Sequence, residues 1–505
     1  MAITVKASQG HYVNWGERAG FIGSPSATID YSEIAESLDN TFTNVLADLA
    51  SADFRHVTPM LQVDSMLTDV KALGKKHFGM ALLDNVPSLR VQVTTTDDEK
   101  VVLLEFDAET GDITGWRDEK EIKTPAMGFA ENFSGNTAIF DLPLLLPKTA
   151  MNYAVHNGKG YPKSFVPGAK KVFALFSVPL EKLVGSALTP LFRLLEQSIK
   201  KKELLQWLDA DMQLPEVTTP QRVNMQGKNV LLFVHGIISS TQGAFDDLVK
   251  IGNCYESLHQ KYEGNLIAYD HWTLGKSCLD NAWDLARELP AGVTLDIICH
   301  SRGAGVVRAL LELPELQNEL AQKGIGVGKV CFVAGACEGS ALARRETVQR
   351  LFKVFAATNY LARAKVPNMF WVQLIKLLLR GIQELPGTDS MDPDNDFIKT
   401  QLKESQKTLA SHYYYIRANF EAKGMLANVL DENFIDEIVF QKNGNDVVVP
   451  FEGAGKNDNY LKNRVEKTNL VEFPLLPIEE NSIVWHINFF EQKEVQTALQ
   501  LTFAL

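Results

Sequence analysis

Between residues 230 and 334, four almost unbroken apolar runs alternate with helical patterns, and this alternation constrains the fold more than any other feature of the chain. The runs are Val230-Leu231-Leu232-Phe233-Val234, Leu266-Ile267-Ala268-Tyr269, Leu295-Asp296-Ile297-Ile298-Cys299 and Val330-Cys331-Phe332-Val333-Ala334. Strands of this kind are buried on both faces, which requires a sheet covered by helices on either side. Helical spacing over 282–289 and 306–313 supplies the covering layers. The region therefore predicts an α/β fold built on a mostly parallel sheet. Residues 413–420, 447–449 and 483–485 are expected to provide the later strands.

A chain of 505 residues is too long for one compact core, so at least two domains are expected. Residues 1–165 read as an N-terminal α+β domain. Within it, Leu89-Arg90-Val91-Gln92-Val93 alternates apolar and polar residues. Val101-Val102-Leu103-Leu104-Glu105-Phe106 then passes through a Glu109-Thr110-Gly111-Asp112 turn into Ile113-Thr114-Gly115-Trp116, the pattern of a small antiparallel unit. Residues 166–225 are expected to form an apolar helical segment and linker. The helical reading runs from Val172 to Trp207 with breaks at Pro179 and Pro190, and the linker covers 211–228. That apolar segment either packs on the neighbouring domain or makes peripheral contact with a membrane. The α/β domain itself is expected over 226–505.

A net charge of -12 argues against nucleic acid as a partner, because no phosphate-neutralising footprint is visible. The first residues lack the basic and apolar regions of a secretory signal. The longest candidate for a membrane span, 369–379, is too short and carries Lys376. The five cysteines, Cys254, Cys278, Cys299, Cys331 and Cys337, include no CxxC pair and no Cys/His cluster. They predict reduced thiols in a cytoplasmic protein, with no metal and no organic cofactor.

The chemistry is concentrated at Cys299-His300-Ser301-Arg302-Gly303-Ala304-Gly305. A buried strand runs into a serine, with glycine two residues on, and then into a helix. In a nucleophile elbow, such a strained strand-to-helix turn pushes the serine Oγ into the open. The helix N-terminus then aims its dipole and N–H groups at a developing oxyanion, and Arg302 N–H is the natural first donor. The alternative use of Ser301 is as the N-cap of a helix starting at Arg302. The first glycine of the usual G-x-S-x-G pattern is here Cys299. Upstream, the first apolar run ends at His235-Gly236, and Gly236 lets the chain turn so that the N–H of Ile237 or Ile238 faces the serine. His235 itself is expected to be structural.

A base must follow in the chain if the order is serine, acid, histidine, and of ten histidines only His412 and His486 lie beyond Ser301. His486 sits at the end of an expected strand and is preferred. For the acid, Asn443-Gly444-Asn445-Asp446-Val447-Val448-Val449-Pro450 places Asp446 in a turn, where a carboxylate can orient an imidazole. Asp436, Glu437 and the acidic run 389–396 are rivals, and a plain turn aspartate is the other reading of Asp446.

Taken together, these motifs resemble the α/β-hydrolase superfamily, and within it the bacterial lipase- and esterase-like serine hydrolases, over about residues 225–500. The resemblance implies a catalytic triad of Ser301, Asp446 and His486, with an oxyanion hole from Arg302 and Ile237 or Ile238. Ala334-Gly335-Ala336-Cys337-Glu338-Gly339-Ser340-Ala341-Leu342-Ala343 is similar to the "TPxxGTxLA" segment of these lipases, with Gly335-Ala336 in place of Thr-Pro. Leu385-Pro386-Gly387-Thr388, with Phe397 beyond it, is similar to their "LPGSxFL" region. The fold implies a helical lid at about 342–410, whose apolar face includes Phe370-Trp371-Val372 and Leu374-Ile375. These apolar stretches tilt the expected substrate toward hydrophobic or lipid-like esters. A thioesterase, acyltransferase or peptidase would use the same triad, and a non-catalytic scaffold binding a protein through the N-terminal domain is the third reading.

Overall fold

The computed structural model describes residues 2–6, 12–23, 28–34, 42–64, 88–107, 111–117, 136–143, 171–183, 203–213, 216–250, 252–348, 351–352, 371–372, 374–375, 378, 385–402, 412–420, 440, 444–455, 469–473 and 484–504. Its central element is a seven-stranded sheet in the order Leu204–Trp207, Leu266–Asp270, Asn229–Val234, Thr294–His300, Gly326–Val333, Tyr413–Ala418, Leu470–Phe473. Only the first of these pairs antiparallel; the rest are parallel. The chain is thus α/β, as the alternation of apolar runs predicts.

Burial on both faces explains the unbroken runs. In Asn229–Val234, Val230, Leu232 and Val234 pack into one apolar cluster, while Leu231 and Phe233 pack into another on the opposite face. The helices Cys278–Glu288 and Gly303–Glu312 cover the first face, and Cys254–Lys261 and Lys493–Phe503 the second.

Three expectations about this sheet are corrected. Residues 447–449 form no strand: Val448 and Val449 turn their N–H groups onto the Asp446 carboxylate, and their apolar side chains serve packing instead. Residues 484–485 likewise form no strand, since Trp485 N–H is taken by Asn488 Oδ1 in a turn. The last strand is Leu470–Phe473. The sheet also begins earlier than residue 226, at Leu204. The expected linker contains a short helix, Thr219–Asn224, closed by a Thr218/Gln221 capping box with Pro220 in its first turn.

The N-terminal region holds a larger antiparallel unit than the sequence suggests. One sheet runs Ala2–Lys6, Thr28–Ile34, Met60–Asp64, Lys171–Pro179, Glu99–Asp107, Ile113–Arg117, with Arg55–His56 also paired to Lys171–Pro179. A second runs Asn136–Pro143, Ser88–Thr95, Ala19–Gly23, Tyr12–Asn14. The expected helix from Val172 is therefore a strand over Lys171–Pro179. Phe173 and Leu175 face the second sheet with Val91, Val93 and Phe140. Val172, Ala174, Phe176 and Val178 face the other way, toward the helix Thr43–Ser51. The end of that expected helix is also a strand, Leu204–Trp207, paired to Leu266–Asp270, and 184–202 lies outside the described residues.

Within the expected lid region the described residues mix helical pieces, at Ala341–Ala343, 371–372, 374–375, Pro386–Asp389 and Phe397–Leu402, with turns over 344–347 and 390–395. Trp371, Val372, Leu374 and Ile375 are buried in the same cluster as Trp116 of the N-terminal sheet. Phe370 lies outside the described residues. No described helix is long and apolar enough to cross a membrane.

Candidate active site

Ser301 stands between the strand Thr294–His300 and the helix Gly303–Glu312, with φ of 54°. This left-handed conformation is unfavourable for a residue with a side chain. It is held from both sides, Ser301 N–H donating to Val333 O at 3.2 Å and Ser301 O accepting from Ala336 N–H at 3.0 Å. The small residues around it follow from close approach. A Cβ on Gly236 would lie 2.8 Å from Ser301 Cβ, and one on Gly303 would lie 2.5 Å from Val234 O. Glycine at 236 and 303 is what lets the elbow sit on the neighbouring strand end. Cys299 is fully buried and serves in the first-glycine position.

Ser301 is not the helix cap, since Arg302 takes that position and contributes no side-chain capping bond. The Ser301 Oγ lies instead 2.8 Å from His486 Nε2. His486 Nδ1 lies 2.9 Å from Asp446 Oδ2, and the other oxygen, Oδ1, accepts the N–H groups of Val448 at 3.0 Å and Val449 at 2.7 Å. The backbone repeats the link, His486 N–H donating to Asp446 O at 3.1 Å. With Nδ1–H donating to the carboxylate, Nε2 is left as the acceptor facing the serine, the tautomer a general base needs. The three side chains are 1–2% exposed.

The other predicted participants divide. Arg302 follows the serine directly and heads the helix, where first-turn N–H groups lack intrahelical acceptors. Ile237 and Ile238 follow Gly236, which touches Ser301. Ile238 N–H, however, donates to Thr273 Oγ1 at 2.9 Å, so that N–H is already engaged and Ile238 is corrected as an oxyanion donor. His235 is structural: Nδ1–H donates to Gly236 O at 2.8 Å and Nε2 accepts from His271 N–H at 3.2 Å. His412 is outside the site, its Nδ1–H donating to Gly328 O at 2.7 Å. Of the rival acids, Asp389 accepts from Asn395 and Asp394 pairs with Arg344 and Lys399. Asp436 and Glu437 lie outside the described residues.

Sequence reasoning missed His300. Its ring lies 5.1 Å from that of His486, and Nε2–H donates to His486 O at 2.9 Å. Burial, with the neighbouring His486, pushes the His300 pKa down to about 3, so the ring is neutral and the hydrogen bond fixes its tautomer. Its position directly before the serine was the available signal. The "TPxxGTxLA"-like segment also finds a place: Ala336 holds the elbow, and Ser340 Oγ donates to Val448 O of the acid turn. All five cysteines are buried and free. Burial raises the thiol pKa of Cys254 and Cys337 to about 12, which leaves both as unreactive thiols. Among the described residues, no three His, Cys, Asp or Glu side chains converge as a metal-ligand set.

Residues 196–504 match a family model described as "Domain of unknown function (DUF7379)", and the chain belongs to that family. No curated protein matches the chain in sequence. Among solved structures, it is similar to a metagenomic carboxyl esterase at 17% identity and a TM-score of 0.29, over 64% of this chain and 94% of that one. It is also similar to a serine hydrolase involved in carbazole degradation at 13% identity and a TM-score of 0.29, over 55% of this chain and 91% of that one. A deformylase from Pseudomonas putida S16 matches at 14% identity and a TM-score of 0.23, over 41% of this chain and 81% of that one.

Proposed function

We propose that this member of the family is a serine hydrolase of the α/β-hydrolase type that cleaves carboxylic esters of hydrophobic, lipid-like acids through a covalent acyl-enzyme. The observation that carries this reading is the continuous Ser301–His486–Asp446 hydrogen-bonded chain at the left-handed elbow.

His486 Nε2 takes the Ser301 proton as Oγ attacks the ester carbonyl. Asp446, held by two backbone N–H groups, keeps the imidazole in its tautomer and stabilises the imidazolium that forms. The negative charge developing on the carbonyl oxygen is received by the N–H groups of Arg302 and Ile237. His486 then protonates the leaving alcohol and, in the second half, activates a water that releases the acid.

Support for a hydrophobic substrate comes from what surrounds the triad. Ile237, Val447, Val448, Val449 and Trp485 belong to one apolar cluster that extends through Trp371 to Trp116 and Phe106. With Ser301 only 2% exposed, substrate entry requires this cover to part. The test is hydrolysis of p-nitrophenyl esters from acetate to palmitate by the wild type and by Ser301→Ala. The reading expects a medium- or long-chain optimum, with activity in the variant reduced by roughly 10⁴-fold or more. Equal rates in the two proteins would refute it, and an acetate optimum would remove the lipid-like substrate while keeping the hydrolase.

A further inference from the structure

We propose that Thr273 and Gly387 form a brace that positions both N–H donors of the oxyanion hole, acting through Ile238 on one side and Arg302 on the other. The inference rests on the serine-hydrolase reading above and assigns a task to the "LPGSxFL"-like segment, which that reading leaves unused.

The first arm runs to Ile237. Its neighbour Ile238 is β-branched, fully buried and has φ of 48°, a conformation such residues avoid. What holds it there is Thr273, whose hydroxyl accepts the Ile238 N–H at 2.9 Å. This bond engages the Ile238 N–H and fixes the 237–238 peptide, the one next along from the 236–237 peptide that carries the Ile237 N–H. The second arm runs to Arg302, whose guanidinium is fully buried beneath the elbow. Arg302 Nε donates to Gly387 O at 3.2 Å, and Nη2 donates to Lys276 O at 2.6 Å and to Asn281 Oδ1 at 3.0 Å.

The two arms meet at one backbone contact. Gly387 N–H donates to Leu274 O at 2.9 Å, and a Cβ on Gly387 would lie 1.7 Å from Thr273 O. Only glycine allows the 385–388 turn to lie against 273–274 this closely. A shift at this contact would displace Ile238 and Arg302 together, and hence the donors at 237 and 302. Thr273 and Gly387 act through Ile238 and Arg302, which makes them positioning residues.

A brace of this kind acts on the transition state, so its loss lowers kcat and leaves KM nearly unchanged. The experiment measures kcat, KM and the rate of Ser301 phosphonylation by a fluorophosphonate in the full chain, for the wild type, Thr273→Val, Thr273→Ser and Arg302→Lys. Full removal of an oxyanion donor costs about 10²–10³ in kcat, so displacement of one by Thr273→Val is expected to cost about 10–100-fold. KM stays within about twofold, phosphonylation slows in parallel, and the pH of half-maximal kcat/KM does not move because the His486–Asp446 pair is untouched. Thr273→Ser, which keeps the hydroxyl, restores most of kcat, and Arg302→Lys reproduces the loss through the second arm. The brace is overturned if Thr273→Val keeps wild-type kcat and labelling, if Thr273→Ser fails to restore them, or if the loss falls on KM. Should Thr273→Val fail to fold, Arg302→Lys decides by the same split. A wild type that neither hydrolyses esters nor labels at Ser301 overturns the hydrolase reading itself, a different result from a labelled wild type with an equally labelled Thr273→Val.

Discussion

Val447 and Ile238 have φ of 82° and 48°, and both stand beside groups the proposed chemistry uses. Backbone strain of this kind costs of order 1–3 kcal/mol per residue and persists only where the surroundings over-determine it. Asn445 Oδ1 accepting from Val447 N–H at 2.8 Å does this at the acid turn, as Thr273 does at Ile238. Asp446 is consequently fixed before any substrate arrives. Asp446→Asn keeps the shape but lets the imidazole adopt the wrong tautomer, and kcat is expected to fall about 10⁴-fold. Steady-state kinetics with a soluble ester check this, and a loss under tenfold would mean that His486 is oriented by something else. His300 makes a prediction about stability. Its folded pKa of about 3 lies below the ordinary histidine value of 6.5. Between those two values the unfolded chain binds a proton that the folded chain refuses, so this contribution to stability is present above pH 6.5 and is lost as pH falls toward 3. Within that window the slope from this one group approaches about 1.4 kcal/mol per pH unit. Urea unfolding at pH 7 and pH 5 should therefore show a smaller acid penalty in His300→Gln than in the wild type; equal penalties would contradict a buried neutral ring.

At the scale of elements, burial decides what was legible in the sequence. Asn229–Val234 and Thr294–His300 are central strands buried on both faces, and their apolar runs declared them. The same property concealed Lys171–Pro179. Phe173 and Leu175 face one cluster while Val172, Ala174, Phe176 and Val178 face another, so the strand lost its period of two and read as a buried helix. The edge strand Leu470–Phe473, with only Phe473 buried, carries too weak a pattern to read at all. Ser301, Asp446 and His486, which the fold brings into one hydrogen-bonded chain, could be singled out because the proposed chemistry demands those residue types in that chain order. The elements carrying His486 and Asp446 could not, because Trp485 and Val447–Val449 are apolar for packing in irregular turns. His300, Thr273 and Gly387 act through contacts between residues far apart in the chain, which no local pattern records.

For the whole molecule, the apolar cluster that reaches the site does not stop at the α/β unit. Trp116 of the N-terminal sheet meets Trp371 edge to face, with ring centroids 5.4 Å apart and both side chains buried. A buried tryptophan replaced by alanine costs about 3–5 kcal/mol, and an aromatic pair adds about 0.5–1.5 kcal/mol beyond burial. Trp116→Ala and Trp371→Ala should each destabilise on that scale in denaturant titrations, with a coupling of about 1 kcal/mol in the double variant. Strict additivity would mean that the N-terminal sheet only lies alongside the α/β unit.

The central claim, that Ser301 is an activated nucleophile, is tested most directly by treating the full chain with a fluorophosphonate and mapping the modified residue by mass spectrometry. One adduct is expected, on Ser301, absent in Ser301→Ala and strongly slowed in His486→Ala. An unmodified wild type, or an adduct that persists in Ser301→Ala, would contradict it.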